Sequence, residues 1–83
     1  MTTIKQYGAS WCSPCRALKP IMQEITQQNP SVGYRYIDVD QEPAEAQSAG
    51  IRSVPVVIVM KNGVETNRFV GIQSKAVYEQ AIK

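Results

Sequence analysis

Apolar residues along this chain change their period several times, and each change marks an element. Thr2 to Tyr7 is short and β-prone and predicts a first strand. After Gly8-Ala9-Ser10-Trp11, the residues Leu18, Ile21, Met22 and Ile25 fall at three- and four-residue steps, which is one face of a helix over about Ser13 to Gln28. Pro14 suits the first turn of that helix, where a missing N–H costs nothing. Pro20 removes an interior hydrogen bond, yet the apolar stripe continues in phase beyond it, so one kinked helix is expected. Asn29-Pro30-Ser31 ends it. Val32 to Val39, with bulk from Val32, Tyr34, Tyr36 and Ile37, predicts a second strand.

Asp38 to Pro43 opens a loop and then a short Ala-rich helix to about Ala49, with Gly50 placed to end it in the left-handed conformation. The β-branched density of Val54 to Met60 predicts a buried strand. Asn62-Gly63 is a two-residue hairpin signal, since both turn positions need positive φ. Val64 to Val70 is then the antiparallel partner, closed by Gly71. Val77, Tyr78, Ala81 and Ile82 form an apolar stripe on a last helix starting near Ser74. The order β-α-β-α-β-β-α predicts an α/β fold in a single domain, residues 1–83. The strand–helix–strand unit makes a right-handed parallel crossover, and the hairpin adds two strands antiparallel to it. One four-stranded mixed sheet with helices on both faces packs that list most simply.

Composition narrows the function. The 83 residues carry nine Lys and Arg against seven Asp and Glu, a net charge of +2 with no basic run, so no nucleic-acid surface is expected. The longest apolar stretch, Val54 to Met60, is far too short to span a membrane. The first residues lack the apolar core of a signal peptide, which predicts a cytoplasmic protein whose thiols are kept reduced. Histidine is absent, which removes Cys–His nucleophile pairs, Ser–His–Asp triads and His-ligated zinc. The two cysteines are Cys12 and Cys15.

A Cys-x-x-Cys pair puts both sulfurs within one helical turn, close enough to bridge. Here it lies at a strand-to-helix junction, where unpaired N–H groups and the helix dipole favour a thiolate. The dipole alone contributes about 0.3–1 kcal/mol, so hydrogen bonds to sulfur must supply any larger effect. Lowering a thiol from about 8.5 to about 7 raises its thiolate fraction at neutral pH roughly 16-fold. Falling nucleophilicity returns roughly five-fold of that, leaving about a three-fold gain. Access assigns the order: Cys12 attacks a substrate disulfide and Cys15, one turn inside, resolves the mixed disulfide. The competing readings are two small core residues or half of a metal site, but two thiols without histidine cannot close a four-ligand zinc site.

Trp11-Cys12-Ser13-Pro14-Cys15-Arg16 resembles the thioredoxin motif, usually Trp-Cys-Gly-Pro-Cys-Lys. Gly50-Ile51-Arg52-Ser53-Val54-Pro55 is similar to the loop that carries that family's cis-proline. Lys61-Asn62-Gly63 and Phe69-Val70-Gly71 match the hairpin and its glycine end, and Pro20 stands at the kink of the long helix. The resemblance covers nearly the whole chain, which begins at the strand before the motif, without the family's usual first strand and helix. It implies a protein disulfide reductase acting through Cys12 as nucleophile and Cys15 as resolving thiol. Trp11, Ser13, Pro14, Val54, Pro55, Gly71 and Ile72 are the implied substrate rim, with the Val54 backbone pairing to an extended substrate segment. No cofactor or metal is implied beyond the Cys12–Cys15 disulfide. The implied partners are thioredoxin reductase, or a similar NADPH-dependent flavoprotein reductase, and disulfide-containing proteins, met by a monomer.

The departures carry information too. The family's buried aspartate, six residues before the first cysteine, is replaced by Gln6, which cannot act as a general base. The lysine that accompanies it is replaced by Tyr36. Deprotonation of Cys15 is then expected to rely on water or on the departing Cys12 thiolate. Against glutaredoxins, the Cys-Pro-Tyr-Cys motif and the glutathione-binding segment are missing, the latter stretch reading Val70-Gly71-Ile72-Gln73-Ser74. A glutaredoxin-like electron donor, for example to ribonucleotide reductase, is the alternative by size. A Cu(I) carrier using both thiolates is a second alternative, although no methionine stands near Cys12. A purely structural subunit is a third.

Overall fold

The computed structural model describes residues 1–83. Its elements are β1 (Thr2–Gly8), α1 (Ser13–Gln28), β2 (Gly33–Asp38), α2 (Pro43–Ser48), β3 (Val56–Lys61), β4 (Val64–Val70) and α3 (Lys75–Ala81). The strands form one sheet in the order β2-β1-β3-β4. β1 and β2 are parallel, with Gln6 opposite Tyr36 and Gly8 opposite Asp38. β3 is antiparallel to both β1 and β4. The crossover and the four-stranded mixed sheet match the expected fold; of the hairpin strands, only β3 runs antiparallel to β1.

Side chains alternate across the sheet and define two apolar layers. On one face Ile4 and Val57 pack against Leu18, Met22 and Ile25 of α1 and Tyr78 of α3. Each fully buried aliphatic side chain of this layer contributes about 1.5–3 kcal/mol. On the other face Tyr7, Ile37, Val56 and Ile58 pack with Ala49 and Ile51, which follow α2. Arg68 Nη1 donates to the Ala49 carbonyl oxygen at 2.8 Å and ties the end of α2 to β4.

α1 is unbroken through Pro20. Pro20 offers no N–H to the Arg16 carbonyl oxygen, and both residues lie on the solvent side of the helix. Asn62 and Gly63 both take positive φ, 54° and 81°, as the hairpin requires. Thr66 is skipped where Val59 faces Asn67 and Met60 faces Glu65, and its hydroxyl donates to the Val59 carbonyl oxygen at 3.2 Å. Two expectations need correction. β3 starts at Val56, because Val54 and Pro55 belong to the preceding loop. Val77 does not join the core face of α3: Tyr78 is buried there while Val77 is exposed.

Candidate active site

The parallel pair β1–β2 sends both of its following loops out at one end of the sheet. The Val39 N–H donates to the Gly8 carbonyl oxygen at 2.9 Å, so the Asp38–Asp40 turn lies beside the Ala9–Cys12 loop. Cys12 has extended φ and ψ of −92° and 103° and caps α1. Its sulfur accepts the Cys15 backbone N–H at 3.2 Å. Pro14 has no N–H to offer, so Cys15 supplies the amide of the first turn that an N-cap acceptor reaches. No carboxylate occupies that first turn to compete for the helix field.

Cys12 and Cys15 are joined in a disulfide with their Cα atoms 5.3 Å apart. Both are buried, but unequally. Cys12 keeps 4% of its surface exposed and Cys15 none. Ala9 shares their cluster, with Val39 and Val54 packed against it. The Val54–Pro55 peptide bond is cis. Gly71 has φ 85°, and its N–H donates to the Pro55 carbonyl oxygen at 2.8 Å. The end of β4 is thereby pinned to the loop that flanks the disulfide. Ile72, next in the chain, is exposed, as are Ser13, Pro14 and Trp11.

Beneath the motif, the buried Gln6 side chain is fully paired. Its Nε2 donates to the Cys15 carbonyl oxygen at 3.0 Å and its Oε1 accepts the Tyr34 hydroxyl at 2.7 Å. Burial, with Tyr36 nearby, pushes the Tyr34 phenol up to about 12, so the hydroxyl is a donor throughout the neutral range. Lys19 Nζ lies 4.6 Å from the centroid of the Tyr36 ring. Arg16 turns back and donates to the Ser10 carbonyl oxygen at 2.8 Å.

A groove of about 120 Å³ is lined by Trp11, Val39, Ile51, Arg52, Ser53 and Val54, of which Val39 and Val54 also pack against the Cys12–Cys15 cluster. The indole Nε1 of Trp11 donates to Asp40 Oδ2 at 2.8 Å. The sequence reading missed Asp40 and Arg52 as neighbours of the site. The signal for Asp40 was present in the topology, since loops that follow two adjacent parallel strands emerge side by side. A larger hollow between β4 and α3, lined by Lys61, Asn67, Phe69 and Val77 among others, holds no thiol and none of the residues around the disulfide.

The sequence profile described as "Thioredoxin" matches residues 2–83. The chain belongs to the thioredoxin family. It is 36% identical over 69 residues to thioredoxin of Chlamydia caviae, covering 83% of this chain and 68% of that protein. To thioredoxin of Rickettsia bellii it is 37% identical over 76 residues, covering 90% of this chain and 72% of that one. A mutant thioredoxin of Halobacterium salinarum superposes with a TM-score of 0.92 at 28% identity, covering 98% of this chain and 71% of that one. Membership of the thioredoxin family, together with the Cys12–Cys15 disulfide, makes the protein a thiol–disulfide oxidoreductase. No helix is long and apolar enough to cross a membrane.

Proposed function

We propose that the protein is a cytoplasmic, monomeric dithiol reductant of protein disulfides, with Cys12 as nucleophile and Cys15 as resolving thiol. The observation that carries this order is the unequal access at one helix end. Cys12 is the cysteine with exposed surface, and its sulfur already accepts an amide N–H. A thiolate in that place keeps the acceptor role with a full charge, and hydrogen bonds to charged groups are worth about 1.5–3 kcal/mol.

The reaction then runs in two balanced steps. The Cys12 thiolate attacks one sulfur of a substrate disulfide, forming an intermolecular S–S bond while the substrate bond breaks and its other sulfur leaves as thiolate. The Cys15 thiolate then attacks Cys12 Sγ, closing the internal disulfide and expelling the second substrate thiolate. The proton lost by Cys15 passes to water or to a leaving sulfur. Two electrons leave the dithiol and reduce the substrate.

Trp11, Ser13, Pro14, Val54, Pro55, Gly71 and Ile72 are proposed as the substrate rim. Trp11 and Val54 line the groove, the Gly71–Pro55 hydrogen bond holds the two flanking loops together, and Ser13, Pro14 and Ile72 are exposed. An extended substrate segment pairs with the Val54 backbone there. The dithiol needs no cofactor or metal of its own, and an NADPH-dependent flavoprotein such as thioredoxin reductase restores it.

The test is NADPH oxidation with insulin as the disulfide substrate, run with thioredoxin reductase and separately with glutathione plus glutathione reductase, with Cys12→Ser as blank. Turnover with thioredoxin reductase alone is expected. Turnover with glutathione alone would assign a glutaredoxin-like role, and activity surviving in Cys12→Ser would refute the nucleophile assignment.

A further inference from the structure

Gly8 ends β1 at a point where a side chain would have no room. A methyl group built there would stand 2.5 Å from the Tyr36 hydroxyl oxygen and 3.0 Å from the Cys15 Cβ. A phenol on β2 and a cysteine on α1 thus converge on the space left by one absent Cβ. The Tyr36 ring is held from two sides, by its register opposite Gln6 and by Lys19 reaching from α1. The hydroxyls of Tyr34 and Tyr78 are engaged, by Gln6 Oε1 and by the Gln73 N–H. No hydrogen bond within the protein engages the hydroxyl of Tyr36.

We propose that the Tyr36 hydroxyl donates a hydrogen bond to the Cys15 thiolate once the disulfide is open, and so sets the fraction of Cys15 ready to resolve a mixed disulfide. Cys15 is fully buried, and a thiolate there has little access to solvent. The amide of Gln6 is committed to the Cys15 carbonyl oxygen. The Tyr36 hydroxyl, which borders the same space at Gly8 as the Cys15 Cβ, is a donor with no acceptor inside the protein. It serves as a donor and not as a base. Burial raises its pKa, Asp38 at the end of β2 adds to the rise, and Arg16 on α1 opposes it. The other charged group over the ring is Lys19, and Gln6 on the neighbouring strand is neutral. During resolution the Cys15 electron pair forms the bond to Cys12 and the substrate sulfur leaves. The phenol keeps its own proton and loses its acceptor as the charge moves away.

The inference rests on Cys15 being the resolving thiol, but its first test does not. In Cys12→Ser one thiol remains, and its titration can be followed by carbon NMR of the Cys15 Cβ. Adding Tyr36→Phe removes one oxygen and leaves the ring beneath Lys19. The midpoint should rise by about one pH unit, the scale of a hydrogen bond to a charged acceptor. In the two-cysteine protein, release of thionitrobenzoate from a Cys12 mixed disulfide at neutral pH should slow about threefold. The thiolate fraction falls about tenfold, and the more basic sulfur recovers part of that with a Brønsted slope of about 0.4–0.5. Gly8→Ala, which displaces the hydroxyl without removing it, should shift the midpoint the same way. A Cys15 midpoint that is unchanged or lower in Tyr36→Phe overturns the proposal. A midpoint that rises while the wild-type protein releases no thionitrobenzoate leaves the hydrogen bond standing and refutes the resolving role.

Discussion

Gln6 and Cys15 are joined by a hydrogen bond from the centre of the sheet to the first turn of α1, the amide nitrogen 3.0 Å from the carbonyl oxygen. Because the Tyr34 hydroxyl donates to the other end of the same amide, one neutral side chain links a part-buried phenol to the start of α1. Gln6→Ala leaves the Tyr34 hydroxyl without its acceptor and takes from the Cys15 carbonyl oxygen the donor it has beyond the helix ladder. One orphaned group costs about 1–3 kcal/mol, and urea denaturation should show a loss of that size. The amide does not titrate, so the variant's pH–rate profile for resolution should keep every inflection of the wild type. An inflection lost in Gln6→Ala would contradict this.

Alkaline stability is set by the tyrosines. All four phenols, Tyr7, Tyr34, Tyr36 and Tyr78, are raised above their ordinary value, with burial the largest cause in each. A folded value above the unfolded one means that the fold favours the protonated phenol. The stability tied to it is complete below about pH 10 and is lost as pH rises through the folded values, near 12 for Tyr34. Denaturation midpoints should therefore hold steady to about pH 10 and fall beyond it. Phenol absorbance in the folded protein should titrate later than in urea; coincident curves would refute the assignment.

Most of the fold was legible in local pattern, and most of what was not depends on topology. The α1 stripe of Leu18, Met22 and Ile25 specified both the helix and its buried face. Asn62-Gly63 gave the hairpin because its turn chemistry is local. Val77 was misplaced because a seven-residue helix offers too few turns for its apolar period to select one face over the next. The start of β3 was misread because Val54 has strand-like bulk, yet Val54 and Pro55 lie in the loop before the strand. In the site, Cys12 and Cys15 announced themselves by spacing. Asp40 and the convergence of Gly8 with Tyr36 did not, since each depends on β1 and β2 lying side by side.

Trp11 separates recognition from stability. Its side chain is 67% exposed, and its one polar contact is the surface bond to Asp40. Trp11→Ala should change stability by about 0.5 kcal/mol or less, as surface substitutions usually do. As part of the proposed substrate rim, the same residue should matter for insulin reduction, raising KM several-fold while thiol titration of Cys12 and Cys15 stays complete. Asp40→Asn, which keeps an acceptor for the indole, should lie close to wild type in both assays. A large drop in melting temperature for Trp11→Ala would mean that the indole is a structural element and not a docking surface.

Gly71 tests whether the loop geometry beside the disulfide depends on backbone freedom. Its φ of 85° lies in the left-handed region, and no atom stands within 4 Å of where a Cβ would be. Gly71→Ala therefore meets no clash, and its cost is conformational, about 1–2 kcal/mol for an L-residue in that region. The bond from its N–H to the Pro55 carbonyl oxygen keeps the left-handed turn in place, because relaxing φ gives up a hydrogen bond at 2.8 Å. A stability loss of about 1–2 kcal/mol with a modest rise in KM for insulin is the expected result. Gly8→Ala should differ in kind, since its methyl would press on Tyr36 and Cys15. It should perturb Cys15 titration, whereas Gly71→Ala should leave that titration alone. Equal effects of the two substitutions on Cys15 would mean that the space at Gly8 has no special relation to the buried thiol.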